Sequence, residues 1–112
     1  MVAVHQFCKI GRHSFIAGGS LVRKDIPPYV KAAREPLSFV GINSVGLRRR
    51  GFDTNTIKSI QNIYRILFQK KHNNTQAISI IEAELEATKE RDEILSFIQN
   101  SQRGIMKGYF QN

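Results

Sequence analysis

The stretch AVHQFCKIGRHSFIAGG, residues 3–19, decides how the first quarter of the chain is read. It carries two histidines, a lone cysteine and three glycines, a density that suits a catalytic or metal-binding loop and equally a structural repeat. Spacing separates the two. Val4, Ile10, Ile16 and Val22 recur every six residues, and the small or short residues Val2, Cys8, Ser14 and Ser20 recur on the same interval. A period of six matches neither an amphipathic helix nor a two-residue strand alternation. It matches a hexapeptide solenoid, in which each short strand sends one aliphatic residue inward and then turns a corner. On this reading Cys8 is a small inward residue rather than a nucleophile. Gly11, Gly18 and Gly19 serve the tight corners, where glycine accepts unusual backbone angles. His5 and His13 fall outside the inward register and face outward. No third ligand stands at metal spacing, so no metal is expected, and nothing calls for a cofactor.

Three hexads make one triangular coil, so the visible repeat is little more than a single turn. Solenoids need several stacked units to bury a core. The repeat is therefore expected to continue above Met1, since otherwise it presents an open edge prone to pairing. The chain reads as the end of something longer.

Composition narrows the class. At 112 residues, with 41% hydrophobic content, the chain has enough apolar material for one modest domain or two small pieces. It has no apolar run of membrane-spanning length and no basic-then-apolar start of a secretory signal. The single cysteine excludes an internal disulfide and favours a reducing compartment, so a soluble cytoplasmic protein is expected. The net charge of +8 is uneven: residues 1–28 carry +3, residues 29–52 carry +4, and the last sixty are nearly balanced. That suits a surface meeting a phosphate, a nucleic acid or an acidic protein. A merely solvated basic surface is the plainer alternative.

Asp25-Ile26-Pro27-Pro28-Tyr29 ends the repeat, because adjacent prolines cannot donate to a sheet ladder and hold the chain extended. From Tyr29 to Asn43, with Pro36 and Gly41, the sequence reads as an ordered loop or irregular extended strand. The run GLRRRGF, residues 46–52, follows. Three consecutive arginines beside glycines suggest a fixed anion site, since each guanidinium is a rigid donor fork suited to phosphate. The competing reading is a solvated basic turn before a helix. After Phe52 the period changes. Ile57, Ile60, Tyr64, Leu67 and Phe68 follow three-and-four spacing and predict a helix over 54–70. Asp53 is placed to cap it, with Phe52 and Ile57 as a hydrophobic staple. KKHNNT turns the chain. Thr75 caps a second predicted helix over 76–87, with Ile78, Ile81 and Leu85 inward. A third, over 91–102, turns Ile94, Leu95 and Ile98 inward, Gly104 stops it, and the tail IMKGYFQN is expected to pack loosely. The acids between Glu82 and Glu93 read as a solvated face. The organisation is thus hexapeptide coils at 1–28, an extended linker and Arg-rich loop at 29–52, and a helical domain of about three helices at 53–112.

AVHQF and KIG within hexads, DIPPYV, and then GIN with L.RRGF opening a helical tail resemble, in that order and spacing, the C-terminal part of the UDP-N-acetylglucosamine O-acyltransferase family. The resemblance covers nearly the whole chain. It implies a β-solenoid plus α fold, the last coil or so of a left-handed parallel β-helix followed by helices. The left hand is an exception to the usual crossover rule. The implied activity is transfer of a 3-hydroxyacyl chain from acyl carrier protein to the 3-hydroxyl of UDP-N-acetylglucosamine, the first step of lipid A biosynthesis. The family works as a homotrimer, with active sites between neighbouring β-helices. Acyl carrier protein is acidic, which gives the basic surface a physical purpose.

By this resemblance His5 and Gln6 line the cleft near the nucleotide sugar and acyl chain. Asn43 approaches the substrate, and Arg49 and Arg50 serve the nucleotide's phosphates and carrier-protein recognition. Gly18 falls where acyl length is measured, with Phe15 and Pro36 nearby in the same groove, and a glycine there implies a long chain. Two departures matter. Val45 stands where some relatives carry an acid, which removes a polar substrate contact. The family's general base, a histidine on an earlier coil, aligns with nothing here. The chain is therefore expected to be a C-terminal portion that does not catalyse alone. The alternative is a non-catalytic module that binds acyl carrier protein or supports oligomerisation. Nucleic-acid binding through LRRRGF lacks a recognition-helix context and interleaved stacking aromatics.

Overall fold

A computed structural model describes residues 2–68 and 72–108. Six strands and four helices follow in order: β1 (Ala3–Val4), β2 (Phe15–Ile16), β3 (Leu21–Val22), β4 (Val30–Ala33), β5 (Ser38–Ile42), α1 (Ser44–Arg49), α2 (Thr54–Leu67), α3 (Asn74–Glu84), α4 (Lys89–Gln99) and β6 (Lys107–Gly108).

The six-residue period has a direct structural counterpart. β1 pairs in parallel with β3, Ala3 with Leu21 and Val4 with Val22, so partners stand eighteen positions apart, the span of three hexads. The corners repeat at the same interval. Phe7, His13 and Gly19, six residues apart, all take left-handed backbone angles, with φ of 70°, 60° and 80°. Of the glycines predicted for corners, only Gly19 does this work; side-chain-bearing Phe7 and His13 hold the other two. Gly11 is needed for a different reason. A Cβ there would lie 2.4 Å from the backbone nitrogen of Pro28, so the double proline can lie against the coil only over a glycine.

The inward register is only partly buried. Val22 is sealed at 0% exposure, whereas Val4 and Ile10 keep 45% and 44% of their surface. Cys8 packs at the edge of the apolar core, its Sγ 3.8 Å from the carbonyl of Val22. The difference is one of cover: β3 lies beneath later elements, and within the described residues β1 has a neighbour on one side only.

Residues 29–52 are more regular than a linker and loop. β4 and β5 form an antiparallel hairpin, β2 joins β4 in parallel, and β6 closes the sheet in the order β2-β4-β5-β6. Two of the three arginines of the run are helical: α1 ends at Arg49, starts from an Asn43 cap whose Oδ1 accepts the Gly46 N–H at 3.3 Å, and is anchored by fully buried Leu47. This short helix precedes the expected helical domain, which holds three helices among the described residues. The first predicted helix is observed as Thr54–Leu67, capped by Asp53, whose Oδ1 accepts the Thr56 N–H at 2.7 Å. Phe68 is its C-cap, and the rest of the expected continuation, residues 69–70, lies outside the described residues. Ile57, Ile60, Tyr64 and Leu67 are buried, joined by Ile63, and Phe68 stacks on Phe39 at 4.5 Å. The second helix starts earlier than predicted, because Asn73 rather than Thr75 caps it. Asn73 and Gln76 form a reciprocal capping box, which satisfies two end groups at once. Thr88 caps α4, whose Ile94, Leu95 and Ile98 are buried as the spacing indicates.

The tail does not pack loosely as far as it is described. Met106 is buried at 3% exposure, and β6 pairs with β5, Ser38 opposite Lys107 and Phe39 opposite Gly108. The end of the expected tail, residues 109–112, lies outside the described residues. Asp25 provides the anchorage. Buried at 1% exposure, it accepts the Lys9 N–H at 2.8 Å and the Ser101 hydroxyl at 2.6 Å, while its own backbone bonds Gly104 and Met106. One apolar core unites these pieces, running from Val22 and Ile26 beneath the hairpin to the inner faces of α2, α3 and α4.

Candidate functional site

A cleft of about 420 Å³ opens between β2, β4 and α1. The sheet register builds one wall: Phe15 and Lys31 are direct partners, and Phe15 is 53% exposed. The other wall is α1 with its cap, contributing Asn43, Val45, Arg49 and Arg50. Three cations and an amide surround the space, and no carboxylate lines it. Such a set receives an anion with several oxygens, since lysine supplies charge and the arginines supply paired donors.

Asn43 is already engaged. Its Oδ1 caps α1, and its Nδ2–H donates to the His13 carbonyl at 3.1 Å. Any ligand contact at Asn43 must use its remaining hydrogen-bonding capacity, and its visible task is to fix α1 against the coil. Arg49 projects from the last turn of α1, while Arg50 is the C-cap and stands between this cleft and a neighbouring one. The Arg50 Nη1–H donates to His13 Nδ1 at 2.7 Å.

His13 departs from its expected outward position. Its ring stacks on Tyr29 with centroids 5.8 Å apart and meets Phe52 edge-on at 5.3 Å. Burial, then the charges of Arg50 and Arg12, push its pKa below the ordinary imidazole value, with Glu93 pulling the other way. Phe52, expected to staple α2, turns its ring to His13 and Tyr29. Beside them Arg12 and Glu93 form a two-pronged pair, Nε to Oε2 and Nη2 to Oε1 at 3.0 Å each. The Tyr29 hydroxyl donates to the same carboxylate at 2.5 Å. Burial raises the Glu93 pKa, but Arg12 and Tyr29 more than offset it and the net shift is downward. Burial and Glu93 together push the Tyr29 phenol well up. Glu93, read from sequence as part of a solvated acidic face, is the pin between α4 and the coil.

His5 and Gln6 are exposed and do not line this cleft; the His5 Nδ1 lies 3.2 Å from the Gln6 carbonyl oxygen. Gly18 is also exposed, with open space where a Cβ would stand. It does not join Phe15 in the cleft, and Pro36 lines a separate apolar cleft with Leu21, Leu37 and Met106. Sequence reasoning did not single out Lys31, although its flanking Val30 and Ala32 alternate with it as a strand pattern. The pairing of His13 with Arg50 and of Arg12 with Glu93 had no local signal. Among the described residues no helix is long and apolar enough to cross a membrane, and no group of three His, Cys, Asp or Glu could hold a metal ion.

Comparison with known proteins places this geometry. The family model for UDP N-acetylglucosamine O-acyltransferase, domain 2, matches residues 25–106. The acyl-[acyl-carrier-protein]–UDP-N-acetylglucosamine O-acyltransferase of Myxococcus xanthus is 42% identical over 107 residues, covering 96% of this chain and 42% of the relative. A solved UDP-N-acetylglucosamine acyltransferase from Bacteroides fragilis superposes with a TM-score of 0.92 at 48% identity, over 95% of this chain and 42% of that one. The Arabidopsis enzyme of the same name gives 0.85 at 34% identity, over 95% and 40%. The chain spans about two fifths of the length of these relatives. By sequence and by structure, the chain belongs to the UDP-N-acetylglucosamine O-acyltransferase family and corresponds to the C-terminal part of the enzyme.

Proposed function

We propose that this chain forms the last coil of a left-handed β-helix and the helical domain of an acyltransferase. That enzyme moves a 3-hydroxyacyl chain from acyl carrier protein to the 3-hydroxyl of UDP-N-acetylglucosamine, and works in the cytoplasm as a homotrimer. The cleft between Lys31 and the Arg49–Arg50 pair holds the nucleotide's diphosphate, in the substrate or its acylated product. The observation carrying this reading is the convergence of three cations on one cleft that no acid lines. Arginine forks neutralise the diphosphate and orient the sugar, an effect that works through positioning.

The proton acceptor for the sugar hydroxyl comes from outside this chain. His13 is occupied by Arg50 and its aromatic neighbours, His5 is turned from the cleft, and His72 precedes the Asn73 cap of α3. Binding and acyl transfer are therefore separable here. Calorimetric titration with UDP-N-acetylglucosamine tests the reading: binding by the chain and at least a tenfold loss, about 1.4 kcal/mol, in Arg49→Ala are expected. Equal affinity in that variant overturns the assignment. The excess positive charge of residues 1–52 supports docking of an acidic carrier protein on the same side of the chain. Carrier binding that is lost in the Arg49→Ala/Arg50→Ala double variant is the expected result, and unchanged affinity counts against it.

A further inference from the structure

His13 holds α1 at both ends. Its carbonyl oxygen accepts the Asn43 Nδ2–H at the N-terminal cap, and its Nδ1 accepts the Arg50 Nη1–H at the C-terminal cap. We propose that His13 is a positioning residue for Arg50 and that the pair is a proton-sensitive latch. Neutral His13 keeps Arg50 parked at the rim of the anion cleft, and protonation of His13, or arrival of a diphosphate, releases it. This rests on the reading of the Lys31–Arg49–Arg50 cleft as the diphosphate site.

The chemistry of the contact is one-directional. A guanidinium only donates, so His13 Nδ1 must carry its lone pair and the ring proton must sit on Nε2. An imidazolium would set a donor against a donor and a cation against a cation. The ring has little freedom to turn away, being packed between Tyr29 and Phe52 on a left-handed residue with φ of 60°. The charged and titratable groups around it come from every neighbouring element. They are Arg12 on its own segment, Tyr29 before β4, Arg50 after α1, Asp53 at the head of α2, and Lys89, Glu90 and Glu93 on α4. Of these, Glu93 is spent on Arg12 and Tyr29, and Asp53 on the Thr56 N–H. Burial lowers the His13 pKa first and Arg50 second, so the Arg50 contact is the part of that lowering that losing the partner removes.

Arg50 lines both clefts and its Nη1–H is engaged by His13, so a diphosphate that draws the guanidinium inward takes that donor from the ring. The two compete for it, and competition is reciprocal. Acidification, which frees Arg50, strengthens diphosphate binding; a bound diphosphate raises the His13 pKa. UDP-N-acetylglucosamine is the suitable probe, because its doubly esterified diphosphate keeps its charge unchanged across the range in which histidine titrates.

The experiment has two arms on the full chain. In the first, NMR titration follows the His13 ring in the wild type and in Arg50→Gln, an exposed site whose change leaves the core intact. The His13 pKa is expected to rise toward the ordinary value in the variant, and an unchanged pKa overturns the latch. In the second, UDP-N-acetylglucosamine affinity is measured near pH 7.5 and pH 5.5. The wild type should bind about fivefold more tightly at the lower pH. His13→Gln, whose amide oxygen accepts the arginine at every pH, should be flat. Binding that ignores pH in the wild type overturns the latch and leaves the cleft reading standing. No binding at either pH overturns the cleft reading and the latch with it.

Discussion

Val22 and Val4 occupy equivalent places in the repeat and are paired in the sheet, yet one is sealed and the other nearly half exposed. In α2, by contrast, Ile57, Ile60, Ile63, Tyr64 and Leu67 are all buried along the helix. The hexads are held by particular polar ties and by one close backbone approach, whereas the helical unit is held by apolar area. The difference teaches that the regions should fail differently. Loss of a methyl group hurts the helices, and loss of a single hydrogen bond or a single glycine hurts the coil.

The largest contrast lies between Ile60→Ala and Val4→Ala. Ile60 is fully buried, so truncation removes transfer energy and leaves a cavity, costing about 3–4 kcal/mol in urea denaturation. Val4→Ala should cost under about 1 kcal/mol, because much of its surface already meets water. Comparable losses would erase the proposed division. Gly11→Ala comes next. Its Cβ would meet the Pro28 backbone at 2.4 Å, and overpacking of that kind costs about 3 kcal/mol. A variant melting with the wild type would mean that the coil and the double proline are not in fixed contact.

The junction gives a smaller effect. Tyr64 Oη–H donates to the Pro28 carbonyl at 2.6 Å in a buried setting, so Tyr64→Phe orphans that carbonyl at a cost of about 1–2 kcal/mol. The pH response should show the same seam. His13 has a lowered folded pKa, so the unfolded chain binds its proton first, and stability declines as pH falls from about 6.5 toward that lowered value. Glu93 is also lowered, which stabilises the fold above the ordinary carboxylate pKa of about 4.5 and is lost as pH falls through the folded value. An acid melting series should show one decline beginning below about 6.5 and a further one below about 4.5. His13→Gln should remove the first and leave the second.

The helices were legible because their signal is local. Three-and-four spacing, an Asp53 cap and the apolar triad of α4 each lie within a few residues of what they determine. The spacing of the corners was legible for the same reason, since a six-residue interval is visible without knowing what stacks on what. Misreadings came where a distant partner decides the structure. The arginine run looks like a loop until Leu47 is given a core to enter. The tail looks loose until Asp25 and β5 receive it. His13 looks outward because period alone cannot show that Tyr29 and Phe52 arrive beside it. Of the residues that line the candidate cleft, Asn43, Arg49 and Arg50 could be marked in advance. Lys31 could not, since its place depends on a sheet register set across the fold.

The Asp25–Ser101 bond spans seventy-six positions of chain, and that distance has a consequence for the order of assembly. During synthesis residues 3–25 emerge before Ser101, with Asp25 able to take the Lys9 amide but not the hydroxyl that completes its shell. The β4–β5 hairpin and the helices can form in the meantime, since most of their contacts are close in sequence. β6 docks last, because the entropy of closing so long a loop is lost before its contacts are gained. The coil is thus finished by the far end of the chain rather than by its own repeats. Pulse-labelling hydrogen exchange during refolding should find the Met106 and Lys9 amides, both bonded to Asp25, protected together and after those of α2. Early protection of Lys9 alone would show that the hexads lock without it.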